Sequence, residues 1–288
     1  MSPPALPMPW LGTQARVALI GCGAIADEFV SCLDALGESQ RIVCALETTA
    51  ALEAARARVG GRFPVTDSVA ELLASPAELV IECAGQGALK AHAPGVLGAG
   101  LHCIAASTGA FADADFVAGL ARLQAAGTPA ASARLWIPSG AIAGVDGLLA
   151  ARTAGMDAVT YTSAKPPHAW DGTPAQSLLQ GEARTRRVEF FEGSAREAAR
   201  DYPQNANVGA TIALASLGLD RTRVKLVSDP ALAGPLGIID ASGAFGVFHF
   251  DILAYASPTN PKTSAITAHS IALALRQGYC FAFDPASA

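Results

Sequence analysis

Apolar positions along this chain follow two rhythms, and the change between them falls near the middle. From Ala15 onward short apolar runs alternate with stretches of helical spacing. Arg16-Val17-Ala18-Leu19-Ile20 predicts a strand that ends at Gly21, and Ile25, Phe29, Leu33 and Leu36 then share one helical face up to Gly37. A second strand is expected at Ile42–Leu46, with a helix at Ala50–Val59 closed by Gly60-Gly61. Leu79–Cys83 and Leu101–Ala106 read as further strands, and the helix between them is expected to break or begin near Pro94. Asp115 caps another helix carrying Phe116, Leu120 and Leu123, and Arg134–Pro138 is one more strand. Strands this apolar on both faces, separated by helices, imply a Rossmann-type doubly wound parallel sheet.

The second half is patterned differently. Val188–Glu192 and Val224–Ser228 are short strand candidates, and Ser242–Tyr255 alternates over its whole length. Phe248, Phe250 and Ile252 fall on one face there, with Val247, His249 and Asp251 on the other. One helix starts at Ser194 with Glu197 three residues on, a capping box, and a second covers Val208–Leu217. This is the pattern of an α+β domain with an open-faced sheet. The expected division is a flexible N-terminal extension at 1–14, a dinucleotide-binding domain at 15–145 and a substrate and dimerisation domain at 146–261. A C-terminal helix at 262–278 is expected to dock back on the first domain.

Composition narrows the class. A chain of 288 residues that is 51% hydrophobic and 16% charged has ample core for two domains. Its net charge of −5 comes without basic clusters, which argues against a nucleic-acid partner. The six cysteines form no CxxC pair and lie mostly in apolar runs, so neither a metal site nor a disulfide framework is expected. No run approaches the ~20 apolar residues of a membrane span, and the proline-rich start lacks the basic, apolar character of a secretory signal. A cytoplasmic protein is expected, with no membrane partner.

Chemistry enters at Gly21-Cys22-Gly23-Ala24-Ile25-Ala26, a G-x-G-x-x-A run between the first strand and the first helix. Gly21 permits the tight turn, Gly23 lets a pyrophosphate approach the backbone, and the small residue after Ile25 lets helix and strand pack closely. The N–H groups at Ala24 and Ile25 open the helix and face the phosphates. Glu47, at the end of the second strand, is placed to accept from the ribose hydroxyls, which favours NAD over NADP. Arg56 and Arg58 lie further on and keep a phosphate-bearing cofactor open.

Several segments together resemble the L-aspartate dehydrogenase family. They are Gly21–Ile25, Glu82-Cys83-Ala84-Gly85, Pro138-Ser139-Gly140-Ala141-Ile142, Lys165-Pro166-Pro167, Phe191–Ala198, Tyr202–Val208 and Asn260-Pro261-Lys262-Thr263-Ser264. They run collinearly from about Val17 to Arg276. The resemblance implies a homodimer and a reversible, NAD(P)-dependent deamination of L-aspartate to oxaloacetate and ammonia through iminosuccinate. In some bacteria the iminosuccinate feeds NAD biosynthesis. The family's nucleotide-contacting alanine and asparagine fall on Ala141 and Asn207. Its catalytic histidine does not carry over, since the residue at that place after Asp229-Pro230 is Gly237, with Pro235 where the family commonly has asparagine.

Five histidines remain, and two are candidates for the missing proton-transfer group. His168 follows Lys165-Pro166-Pro167, and His249 lies on the long alternating segment. Lys165 and Lys262 are the candidates for holding the carboxylates of a dicarboxylic substrate. Three readings stay open: aspartate dehydrogenase, a dehydrogenase or imine reductase acting on another amino or oxo acid, and a dinucleotide-binding protein without catalysis.

Overall fold

The computed structural model describes residues 8, 10, 14–126, 132–255 and 264–288. In chain order the first elements are β1 (Val17–Ile20), α1 (Ala24–Ala35), β2 (Ile42–Leu46), α2 (Leu52–Val59), β3 (Val65–Thr66), α3 (Val69–Ala74) and β4 (Leu79–Glu82). α4 (Gln86–Gly98), β5 (His102–Ala105), α5 (Ala114–Ala125) and β6 (Leu135–Pro138) follow. Next come α6 (Val145–Ala154), β7 (Met156–Lys165), β8 (Val188–Ser194), α7 (Ala195–Asp201), α8 (Ala206–Ala215), β9 (Arg223–Ser228), β10 (Leu236–Gly243) and β11 (Gly246–Leu253). The chain ends with α9 (Ile266–Gln277) and β12 (Cys280–Ala282).

These elements gather into two compact units. The first holds the described residues up to Ala110, Asp115–Gly140 and Thr267–Phe283; the second holds Phe111–Ala114, the described residues of Ala141–Ile266, and Asp284–Ala288. The first unit's sheet has the order β12-β6-β5-β4-β1-β2-β3, parallel throughout except for β12. β1 and β4 are buried along their whole length, as strands covered on both faces must be. α1 turns Ala26, Phe29, Val30 and Leu33 inward, and each large side chain so buried contributes about 1.5–3 kcal/mol. α9 returns to the same core, where Ala268, Ile271 and Leu275 join Val17, Leu19 and Phe29.

The second sheet has the order β11-β10-β7-β9-β8; β7 and β9 run parallel and the other neighbours antiparallel. α8 covers one face, and a Cβ at Gly209 would lie 3.3 Å from Val224 and 3.5 Å from the Tyr161 ring. The other face is open at the β10–β11 end, where Val247 is 81% exposed.

Two expectations are corrected here. α4 is neither broken nor begun at Pro94; it runs through it, starting after Gly85. A proline inside a helix forfeits one backbone hydrogen bond, about 3 kcal/mol, but Leu89, Ala93, Val96 and Leu97 are buried on both sides of it and hold the helix in place. The alternating stretch at Ser242–Tyr255 is not one strand. Its first residues end β10, the chain reverses at Ala244-Phe245, and β11 begins at Gly246 with φ +107°. The capping box at Ser194 and Glu197 is present as read.

Candidate functional site

The glycine loop is shaped by contact on one side and by space on the other. Gly21 has φ +99°, and a Cβ there would lie 2.7 Å from the Cα and Cβ of Ala84, so only glycine fits. Gly23 caps α1 in an extended conformation, and nothing lies within 4 Å of where its Cβ would be. The first N–H groups of the twelve-residue α1 have no partner within the helix and carry the positive end of its dipole. That combination suits a pyrophosphate, and Ala24 and Ile25 open the helix at that point.

Glu47 reaches back to the same loop. Its Oε2 accepts the Cys22 N–H at 3.0 Å and its Oε1 accepts the Thr48 N–H at 2.8 Å. Beside it lies a cavity of about 320 Å³ whose walls include Gly21, Glu47, Thr49, Asp67, Ala84 and His92. The sequence reading missed one residue here. Glu82, wholly buried at the end of β4, accepts from Ala84 N–H (2.9 Å), Gly85 N–H (2.8 Å), Ser107 N–H (3.1 Å) and Ser107 Oγ (2.9 Å). Burial pushes its pKa up, while four donors on one carboxyl favour the ionised form. It ties the loops after β4 and β5 together behind Gly21. The signal was a charged residue at the end of an apolar strand, quoted in Glu82-Cys83-Ala84-Gly85 but given no role.

In the second unit β7 ends at Lys165 and Pro166-Pro167 turns the chain into a short 3-10 segment at Pro167–Trp170. Trp170 is wholly buried, with its indole N–H donated to Val227 O at 3.2 Å. Lys165 donates from Nζ to Asn205 Oδ1 and lies 5.0 Å from the centre of the Trp170 ring, a cation–π distance. Burial lowers its pKa from 10.5 to about 8. Among the described residues no carboxylate pairs with it. A cavity of about 190 Å³ opens on it, bounded also by His168, Thr173, Gln204, Asn205 and Pro235. Asp171 lines this cavity too, but Arg184 holds it through two contacts at 2.8 and 3.2 Å. The arrangement is a cation in a small cavity with no counter-ion among the described residues, which suits a carboxylate.

The structure thus brings Lys165 and His168 to one cavity, and His249 elsewhere. His249 faces Asp240 across the hairpin, with Nδ1 2.6 Å from Oδ1, in an exposed pair that raises the histidine's pKa. Gly237 pairs with Ile252, three residues on from His249 and therefore on the opposite face of the sheet. His249 therefore does not reach the place of Gly237. Ala141 is half-exposed in the turn after β6, where Gly140 N–H donates to Ser270 Oγ at 3.0 Å, and Asn207 is exposed in the first turn of α8. Lys262 lies outside the described residues. Among the described residues no His, Cys, Asp and Glu cluster could hold a metal, and no helix is long and apolar enough to cross a membrane.

The site can now be set beside known proteins. A family profile described as "Aspartate dehydrogenase, C-terminal" matches residues 146–278, the stretch containing Lys165, His168, Asn207 and Gly237. A second, "Homoserine dehydrogenase, NAD binding domain", matches residues 21–129 and begins at the first loop glycine. The L-aspartate dehydrogenase of a Polaromonas species is 40% identical over 264 residues, covering 90% of this chain and 96% of that protein. The chain belongs to the L-aspartate dehydrogenase family. The Ruegeria pomeroyi L-aspartate dehydrogenase is 42% identical over 266 residues, 92% of this chain and 93% of its own. The crystal structure of Thermotoga maritima aspartate dehydrogenase superposes with a TM-score of 0.66 at 27% identity, over 91% of this chain and 95% of that one. Its homologues are L-aspartate dehydrogenases, NAD(P)-dependent oxidoreductases of the class acting on CH–NH2 groups. The turn at Gly21, the space at Gly23 and the carboxylate of Glu47 beside the loop fit a dinucleotide in the first unit.

Proposed function

We propose that this protein is an NAD-dependent L-aspartate dehydrogenase whose proton-transfer step lacks the histidine of its family. The observation that carries the reading is the Lys165 cavity: a half-buried ammonium group, held by Asn205 and without a carboxylate partner among the described residues. It receives one carboxylate of the substrate, and Lys262 is the second cation of the pair. The dinucleotide, when bound, supplies the acceptor for the hydride that leaves the substrate's Cα. Gly21, Gly23, Ala24 and Ile25 hold its pyrophosphate, Glu47 accepts from its ribose, and Ala141 and Asn207 are the contacts carried from the family. The bound amine must lose protons and a water must be activated at the imine. His168 is the histidine nearest this task, since it lines the Lys165 cavity. An acid or base at such a step contributes about 10²–10⁴-fold, so turnover with aspartate is expected to be slow.

A second reading has its own support. Gly237 leaves the family's histidine position without a side chain, and a different amino or oxo acid could use that room. The open β10–β11 face, with Val247 exposed, is the proposed surface for a homodimer. The deciding experiment follows NADH oxidation with oxaloacetate and ammonia, then with a panel of other 2-oxo acids. Oxaloacetate is expected to be the best substrate. A monocarboxylic 2-oxo acid turning over faster would favour the second reading, and stoichiometric NADH binding without turnover on any substrate would remove both.

A further inference from the structure

The cavity beside the glycine loop carries more negative charge than holding a ribose requires. β2 and β3 are neighbours with Leu46 opposite Thr66, so Glu47 and Asp67 stand at adjacent strand ends. Both line the cavity, and among the described lining residues there is no lysine or arginine. Each carboxylate is held in place. Glu47 accepts from the Cys22 and Thr48 N–H groups, and Asp67 Oδ2 accepts from Thr49 Oγ1 at 2.7 Å. The arginines that kept a phosphate open do not line the cavity, although Arg58 stands at the glycine loop itself. Arg56 pairs with Glu53 at 2.8 Å and donates to Val65 O at 3.2 Å, while Arg58 donates to Cys22 O and lies 3.5 Å from Asp27.

We propose that Glu47 and Asp67 act as a pair that selects NAD over NADP, with Asp67 as the second determinant. The proposal rests on the reading that the first unit holds the nucleotide at this cavity, and it adds a residue to which no role is assigned by the glycine-loop pattern. The two carboxylates act by different means. Glu47 accepts a hydrogen bond from the ribose and repels a 2′-phosphate at the same atom. Asp67 needs no contact with the ribose and acts through its charge alone. A 2′-phosphate brings close to two negative charges, and like charges a few ångströms apart at a wet surface repel by about 1–2 kcal/mol, roughly tenfold in affinity.

That difference gives separate signatures. Glu47→Gln is expected to weaken NADH and strengthen NADPH. Asp67→Asn keeps the size of the side chain and an acceptor for Thr49, and is expected to strengthen NADPH about tenfold with NADH within twofold of the parent. Both variants and the parent are titrated with NADH and NADPH by nucleotide fluorescence, with thermal unfolding recorded alongside. Asp67 is exposed, so its variant is expected to melt with the parent. The parent is expected to bind NADH at least a hundredfold more tightly than NADPH. Equal binding of the two by the parent overturns the selection while leaving the nucleotide reading intact. An unchanged NADPH affinity in Asp67→Asn overturns the role of Asp67. A parent that binds neither nucleotide overturns the cofactor reading itself, and this proposal with it.

Discussion

The ring of Tyr161 lies against Gly237, so that a Cβ on the glycine would stand 3.3 Å from Cε2 and 3.4 Å from the hydroxyl oxygen. Burial pushes the Tyr161 hydroxyl up to a pKa of about 12, so at neutral pH it faces Gly237 as a neutral phenol. A side chain at position 237 must move that ring by a few tenths of an ångström. Gly237→His is therefore expected to lower stability by about 1 kcal/mol, or about 2–4 °C in Tm. The same variant is expected to raise kcat for aspartate about 10²-fold, as regaining a proton-transfer group should. A folded variant with no gain in kcat would show that another group already handles the proton.

The Lys165 cavity gives a test by substrate charge. Lys165→Met keeps most of the apolar stem over Trp170 and removes the ammonium group. A charge-assisted hydrogen bond of this type contributes about 1.5–3 kcal/mol, or roughly 10- to 150-fold in binding. KM for a dicarboxylic substrate is expected to rise by that factor, much more than for a monocarboxylic analogue, with NADH affinity nearly constant. Equal losses for both substrate classes would leave Lys165 a purely structural role.

The pH dependence of that binding follows from the same residue. Lys165 titrates at about 8, below the 10.5 of a free lysine, because burial disfavours its charge. Dicarboxylate affinity is expected to be full below pH 8 and to fall about tenfold per unit above it. Stability runs the other way. Between about 8 and 10.5 the unfolded chain binds a proton that the folded chain has released, so this residue makes the protein more stable as pH rises through that window. Steady-state KM from pH 6.5 to 9.5 for parent and Lys165→Arg separates the two. The arginine variant stays charged and is expected to lose the rise in KM.

The two loop glycines are expected to fail in different ways. Gly21→Ala forces a Cβ to within 2.7 Å of Ala84 at φ +99°, and should destabilise the first unit by several kcal/mol. A Cβ at Gly23 has open space around it, so Gly23→Val should leave Tm within a few degrees while abolishing NADH binding. Titration and melting of both variants check this. NADH binding by a folded Gly23→Val variant at the parent's affinity would move the pyrophosphate away from α1.

Where the sequence was readable, a strong local signal faced no competition. β1, β2, β4, β5 and β6 are apolar runs closed by turns, and the Ser194–Glu197 box marks a helix start in four residues. β7 went unread although it is the central strand of the second sheet. Its residues Met156–Lys165 mix Asp, Thr and Ser with apolar side chains, because pairing on both edges, with β10 and β9, holds it in place as much as burial does. The hairpin after Leu236 was hidden for a related reason, since the period of two continues on both sides of a turn that carries no Asn-Gly or Asp-Gly signal. At the candidate sites, the glycine loop and the Lys165 segment were visible as short motifs. Glu82 and Asp67 were not, because their roles depend on loops and strand ends distant in sequence.

The first unit closes with α9 and β12, which the ribosome makes only after nearly all of the second unit. Until then the core lacks Ala268, Ile271 and Leu275, and β6 has an unpaired edge that Cys280–Ala282 later covers. During synthesis, then, the nucleotide-binding half is the earlier to begin, yet it cannot finish until nearly all of the other half has been made. A nascent chain stalled before α9 carries an exposed apolar patch and an open strand, both of which favour association with other chains. Cutting the gene between the two units would give the same incomplete sheet, so the halves of this protein are not separable by a single cut.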